Sequence, residues 1–163
     1  MPSPPLIRPL ASADDAHWCA TLMASSEPWL TLGRSYAQSR ALVDAPDREV
    51  HIAIGDDEQR LGFVVLVLHG AFTGYLQSIA VAEHCRGEGV GSALLDFTES
   101  RIAQISPNVF LCVSSFNPDA RRLYERRGYH VIGTIPDYVV TGHDELLMRK
   151  TTGPWCGFTA ASG

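Results

Sequence analysis

A chain of 163 residues, 45% of them hydrophobic, can close one substantial core without disulfides and falls in the single-domain range. Its 13 lysines and arginines are interspersed among 18 acids for a formal charge of -5, so no basic stripe offers itself to a nucleic-acid backbone. The longest apolar stretch, Leu61 to Leu68, is far shorter than the ~20 residues that cross a bilayer, and Met1-Pro2-Ser3-Pro4-Pro5 lacks a signal peptide's charged and apolar regions, so a cytoplasmic protein with no membrane partner is expected.

Leu6 to Leu10 reads as a short strand. The Ser12-Ala13-Asp14-Asp15 cluster then caps a helix that carries Trp18, Leu22 and Met23 at helical spacing. Pro28 interrupts it, Trp29 to Gly33 form a link, and a second helical piece with Tyr36, Arg40 and Val43 ends at Pro46. Val50 to Ile54 alternates, Gly55-Asp56-Asp57-Glu58 is turn-forming, and Leu61 to Leu68 is β-branched and apolar, which together predict a hairpin. A third strand is predicted from about Gly74 to Val81.

The order then changes to a glycine loop, a helix from about Val90 to Gln104, strand Val109 to Ser114, helix Pro118 to Arg127 and strand Tyr129 to Ile135. Asp137 to His143 reads as a loop and Glu145 to Met148 as a last strand. The expectation is one domain over residues 1–150 with a loosely ordered tail over 151–163. Cys19, Cys85, Cys112 and Cys156 are scattered, with neither a CxxC pair nor a zinc spacing, so reduced thiols and no metal site are expected.

Arg86-Gly87-Glu88-Gly89-Val90-Gly91-Ser92 lies where a strand hands over to a helix. Orphan N–H groups and the positive end of the helix dipole meet there, and glycine lets a phosphate approach the backbone without meeting a Cβ. The run therefore suits a pyrophosphate. Its GxGxG spacing is not the GxGxxG of a dinucleotide site, and Gly91-Ser92 lacks the lysine of a P-loop.

Arg86-x-x-Gly89-x-Gly91 after a strand ending Ile79-Ala80-Val81 resembles the acyl-CoA pyrophosphate motif of the GNAT superfamily of N-acyltransferases. Asn117-Pro118-Asp119-Ala120-Arg121-Arg122-Leu123-Tyr124, closing in Gly128-Tyr129, resembles that superfamily's second signature. The C-terminal half, with Gly142-His143-Asp144-Glu145, is similar to the ribosomal-protein N-terminal acetyltransferases. The resemblance implies an α+β, mixed α/β fold: a central, mostly antiparallel twisted sheet of six to seven strands flanked by about four helices.

It also implies acetyl-CoA as the acyl donor and transfer of the acetyl group to a primary amine by direct attack. The acceptor is either a peptide or protein α-amine or a small-molecule amine; the alternative is a non-catalytic acyl-CoA-binding module. Ile79, Ala80 and Val81 would bond the pantetheine arm, Arg86 to Ser92 would hold the pyrophosphate, and Asn117 would both cap its helix and touch the CoA arm. Tyr124 matches the superfamily's general acid for the departing sulfur, although Ala120, Leu123, Tyr124 and Arg127 share a helix face that would also pack on a sheet.

Cys112 stands where relatives carry a glutamate base and reads as a buried apolar-like residue, not a nucleophile. Glu27, Glu83, Asp137 and His143 are alternative bases, and Gln77, on the strand face of Ile79, is placed to hold a water beside the acceptor nitrogen. Loops carry specificity, so Glu27, Trp29, Tyr36, Asp137 and Tyr138 are expected to bind the acceptor. An exposed edge strand and the tail's Trp155 and Phe158 favour a homodimer.

Overall fold

Seven strands form one sheet in the order β1-β2-β3-β4-β5-β7-β6 in the computed structural model, which describes residues 3–160. Residues 1–2 of the expected domain and 161–163 of the expected tail lie outside the described residues. The strands are β1 (Leu6–Pro9), β2 (Glu49–Ile54), β3 (Arg60–Val67), β4 (Tyr75–Val81), β5 (Asn108–Ser114), β6 (His130–Ile135) and β7 (Glu145–Thr151). Four α-helices accompany them among the described residues: α1 (Ala13–Ala24), α2 (Tyr36–Asp44), α3 (Val90–Ile102) and α4 (Pro118–Arg126). The last strand runs to Thr151, one residue into the segment expected as tail, because the whole of β5 is available to pair it, from Ser114 opposite Glu145 to Asn108 opposite Thr151.

Caps set where the helices begin. The Ser12 side chain accepts from the Asp15 N–H at 3.1 Å, and a capping box joins Ser35 and Gln38 at the head of α2. Asn117 caps α4 by accepting from the Ala120 N–H at 3.3 Å, with Pro118 in the first turn.

Strand β3 explains the continuous apolar run Leu61 to Leu68, because it is covered on both faces. Val64 and Leu66 join Leu94, Leu95 and Ile102 of α3, while Phe63 and Val65 join Ala16, Cys19 and Met23 of α1 on the other face. Each such buried side chain contributes roughly 1.5–3 kcal/mol, and truncating Leu94 to alanine would cost about 2–5 kcal/mol. Asp15, buried in the first turn of α1, accepts from Arg8 at 2.8 Å and Arg60 at 2.9 Å and thereby ties the start of α1 to β1 and β3.

One irregularity positions the site. Val65 of β3 faces Ser78 and Leu66 faces Leu76, so Gln77 is an extra residue in β4 and makes a β-bulge. Strand β4 is parallel to β5, yet the two pair only at Tyr75 with Phe110 and Leu76 with Leu111. A bulge bends its strand, and β4 leaves β5 at the bulged residue. The remainder of β4, Ser78 to Val81, keeps its pairing to β3, and with Gln77 presents an edge not paired to β5 toward the gap. Among the described residues, no helix is long and apolar enough to cross a membrane.

Candidate active site

The gap between β4 and β5 is a cavity of about 430 Å³. Gln77, Ile79 and Val81 border it from β4, Cys112 and Ser114 from β5, and Asn117, Leu123 and Tyr124 from α4. The loop between α1 and α2 closes it with Glu27, Trp29 and Arg34, and the β6–β7 segment adds Tyr138 and Glu145. A larger hollow of about 620 Å³ lies under the tail, but its charged side chains, Glu99 and Lys150, are already paired at 2.8 Å.

The glycine loop adjoins the gap through Gly91, whereas Arg86 to Val90 and Ser92 are not among the residues that border the cavity. Among the described residues, no hydrogen bond is donated by the backbone amides of Gly87, Glu88, Gly89, Val90, Gly91 or Ser92; the first amide of the helix to find a carbonyl is that of Ala93, bonded to Gly89 at 3.0 Å. Gly87 and Gly89 hold φ at 82° and 85°, values that favour glycine, and a Cβ on either would meet open space. The loop is therefore a row of free donors at a helix N-terminus, open to an anion. Arg86 is exposed, adds a cation and donates from Nε to the Val81 carbonyl at 3.4 Å. Glu88 brings its amide to this row, while its carboxylate is exposed to solvent.

Titratable side chains border the same gap. The Tyr124 ring is 7% exposed and meets Tyr129 edge-on at 5.7 Å, and its hydroxyl bonds no protein atom among the described residues. Burial pushes its phenol up to about 12, so it stays protonated at neutral pH. Glu145, 5% exposed, accepts a 2.5 Å hydrogen bond from Ser114 Oγ. Burial raises its carboxyl above the usual carboxylate range, and the Ser114 bond partly offsets that rise. Burial also raises the Cys112 thiol and the neighbouring Tyr75 phenol.

The structure brings together most of the residues selected from the sequence. Ile79, Val81, Gly91, Asn117 and Tyr124 border one cavity, with Glu27, Trp29, Gln77 and Tyr138 around it. Ala80 is buried with its side chain in the α1 layer, so only its backbone belongs to the open edge. Gln77 Oε1 accepts from Arg48 at 2.6 Å, which fixes the amide and leaves its NH2 as a donor. Asn117 spends its oxygen on the cap and likewise keeps its NH2 free to donate.

Tyr36 is not at the gap: it begins α2 and shares a 2.8 Å hydrogen bond with His17 Nδ1. Asp137 is not there either; at φ 50° it accepts from the Gly142 N–H at 2.6 Å and closes its own loop. Among the alternative bases only Glu27 borders the gap, because Glu83 lies in a 3-10 turn past β4 and His143 packs edge-on against Phe116 at 4.8 Å. Arg34, Tyr75, Ser114 and Glu145 had no role in the sequence reading. The pairing of Glu145 with Ser114 across β7 and β5 is the long-range fact that reveals it.

The sheet is splayed between parallel neighbours, and the crevice so formed is bordered by a buried acid and a buried phenol beside the free amides of the glycine loop. The family model described as Acetyltransferase (GNAT) family matches residues 11–129, and the chain belongs to that family. An uncharacterised N-acetyltransferase of Methanocaldococcus jannaschii is 39% identical over 79 residues, covering 47% of this chain and 51% of that protein. An N-alpha-acetyltransferase of Sulfurisphaera tokodaii is 32% identical over 77 residues, covering 46% of each. The match thus spans about half the length of these curated relatives. Spermidine N-acetyltransferase from Vibrio cholerae, in complex with CoA and spermine, shares the fold at a TM-score of 0.70 and 18% identity, over 90% of this chain and 95% of that one.

Proposed function

We propose that this protein is an acetyl-CoA-dependent N-acetyltransferase that passes the acetyl group directly to a primary amine. The observation that carries the reading is the row of unpaired amides from Gly87 to Ser92 at the head of a crevice holding Glu145 and Tyr124. Phosphates fit the amides and Arg86, and the open edge of Gln77 to Val81 offers strand-like bonds to the pantetheine amides, with Asn117 facing the same arm from α4.

A lysine-type amine titrates near ~10.4 and a peptide α-amine near ~7.7–8.0, so an acceptor that arrives as an ammonium must lose a proton before its lone pair can attack. Glu145 is the base in this reading: a buried carboxylate with a raised pKa attracts the ammonium and takes its proton, directly or through a water held by Gln77. The nitrogen forms its bond to the thioester carbonyl carbon as the carbon–sulfur bond breaks. Tyr124 gives its hydroxyl proton to the departing sulfur, and the second proton that the nitrogen sheds as it becomes an amide restores the phenol through solvent. The crevice that raises the phenol also raises thiols, as at Cys112, so the sulfur is a stronger base there than in water.

A protonated Cys112 is a poor nucleophile, which favours direct transfer over an acetyl-cysteine intermediate. The test is a thiol-release assay with acetyl-CoA and a panel of amines and short peptides, beside Tyr124→Phe. Acceptor-dependent release that falls steeply in the variant supports the reading. Binding of CoA with no release for any acceptor defeats it.

A further inference from the structure

Arg34 enters the crevice from a rigid mount. Gly33, at φ 70°, donates to the Leu30 carbonyl at 3.1 Å and Arg34 donates to the Trp29 carbonyl at 3.0 Å, the paired closure of a Schellman motif. The side chain is half-buried and borders the cavity. Among the described residues it makes no salt bridge and donates no side-chain hydrogen bond. The other half-buried arginines behave differently: Arg8 and Arg60 share Asp15, Arg40 sits on Asp44, Arg48 on Asp47, Arg101 on Glu49 and Arg127 on Glu99. Arg149 bonds the side-chain carbonyl of Asn108.

A guanidinium partly withdrawn from water is unfavourable without an anion, and its planar fork matches a carboxylate in bidentate fashion. Burial lowers the Arg34 pKa below the ordinary arginine value, with no neighbouring acid to offset it. Arg34 is also the only cation lining the crevice among the described residues, where Glu145 and Glu27 are the anions. A ligand bearing both an ammonium and a carboxylate would meet Glu145 with the first and Arg34 with the second. A polyamine would bring surplus ammonium groups against an unpaired guanidinium.

We propose that Arg34 binds a carboxylate on the acceptor, so that the acceptor is an amine carrying a nearby carboxylate and not a polyamine. The inference rests on the N-acetyltransfer reading of the crevice. The carboxylate has two possible sources, the α-carboxylate of a free amino acid or an acidic side chain next to a peptide's N-terminus.

Calorimetric titration of CoA-loaded protein separates them, with L-leucine against L-leucinamide, C-terminally amidated Met-Glu-Ala-Ala against Met-Gln-Ala-Ala, and spermidine as probes. The wild-type protein is expected to bind the carboxylate member of one pair about tenfold or more tightly than its neutral partner, and spermidine least. The pair that discriminates identifies the source. Arg34→Gln should bring that ratio to about one, Arg34→Lys should restore part of it, and acetyl-CoA affinity should not change in either.

Equal binding within both pairs, tightest binding of spermidine, or a loss of acetyl-CoA affinity in Arg34→Gln would each overturn the proposal. Thiol release is measured on the same samples. Discrimination that depends on Arg34 without any release would uphold the carboxylate site and defeat the transfer reading alone.

Discussion

Replacing Glu145 with glutamine removes the proposed base while keeping its shape and an acceptor for Ser114 Oγ, now bonded at 2.5 Å. A positioned general base contributes about 10²–10⁴-fold, so kcat should fall by that factor, or about 2.7–5.5 kcal/mol of barrier. The pH profile gives a second readout. Burial holds the Glu145 carboxyl above its ordinary value near ~4.3, so the wild-type rate should climb along a limb displaced upward from that value, and the limb should vanish in the variant.

Stability should move the other way. A carboxyl whose folded pKa is raised stabilises the fold while protonated, and that contribution is lost as pH rises through the folded pKa. At pH 7 the charged, buried group is a burden, so Glu145→Gln should melt at or above the wild-type temperature. Steady-state thiol release from pH 5 to 10, with melting curves at pH 7, measures both. A variant within about threefold of wild-type kcat that keeps the same limb would refute Glu145 as the base.

Tyr124→Phe should lower kcat about 10²-fold or more in the same assay with little change in KM for acetyl-CoA, and the wild-type rate should show no alkaline loss near pH 10, because burial pushes the phenol up to about 12. Gly89→Ala forces a side chain to φ 85°, a strain of about 1–2 kcal/mol, and should weaken CoA binding in calorimetry while lowering the melting temperature of the free protein. Asp15→Asn should destabilise the fold by about 2–4 kcal/mol in urea melts, because two guanidiniums lose one buried carboxylate and remain partly solvated. The bond from Arg8 and a second from Arg60 hold the Asp15 pKa well below the usual range; the stability it confers is present above ~3.9 and lost as pH falls further, so the variant should show a flatter acid limb.

The succession of elements was legible because each has a local cause. Ser12 and Asn117 are caps at the heads of α1 and α4, and the apolar, β-branched run of β3 marks a strand. The strand, the glycine run and the helix start were legible for the same reason, since they are contiguous in the chain. What could not be read depends on cross-strand register. The bulge at Gln77, the splay of β4 from β5 and the meeting of Ser114 with Glu145 join residues far apart in sequence. Tyr36 lies near the expected acceptor residues in the chain, whereas in the fold it begins α2 and bonds His17. Arg34 shows only as an arginine in sequence; that it makes none of the ion pairs of Arg8, Arg40, Arg48, Arg60, Arg101 and Arg127 is visible only in the fold.

The claim that the β4–β5 crevice transfers an acetyl group is tested most directly by following thiol release from acetyl-CoA together with acetylated amine, by mass, over a panel of amino acids, peptides and polyamines. Release is expected to require an acceptor and to equal the acetylated amine formed, and both should be lost together in Tyr124→Phe and Glu145→Gln. Release that ignores the acceptor, or folded, CoA-binding protein that acetylates none of them, would contradict it.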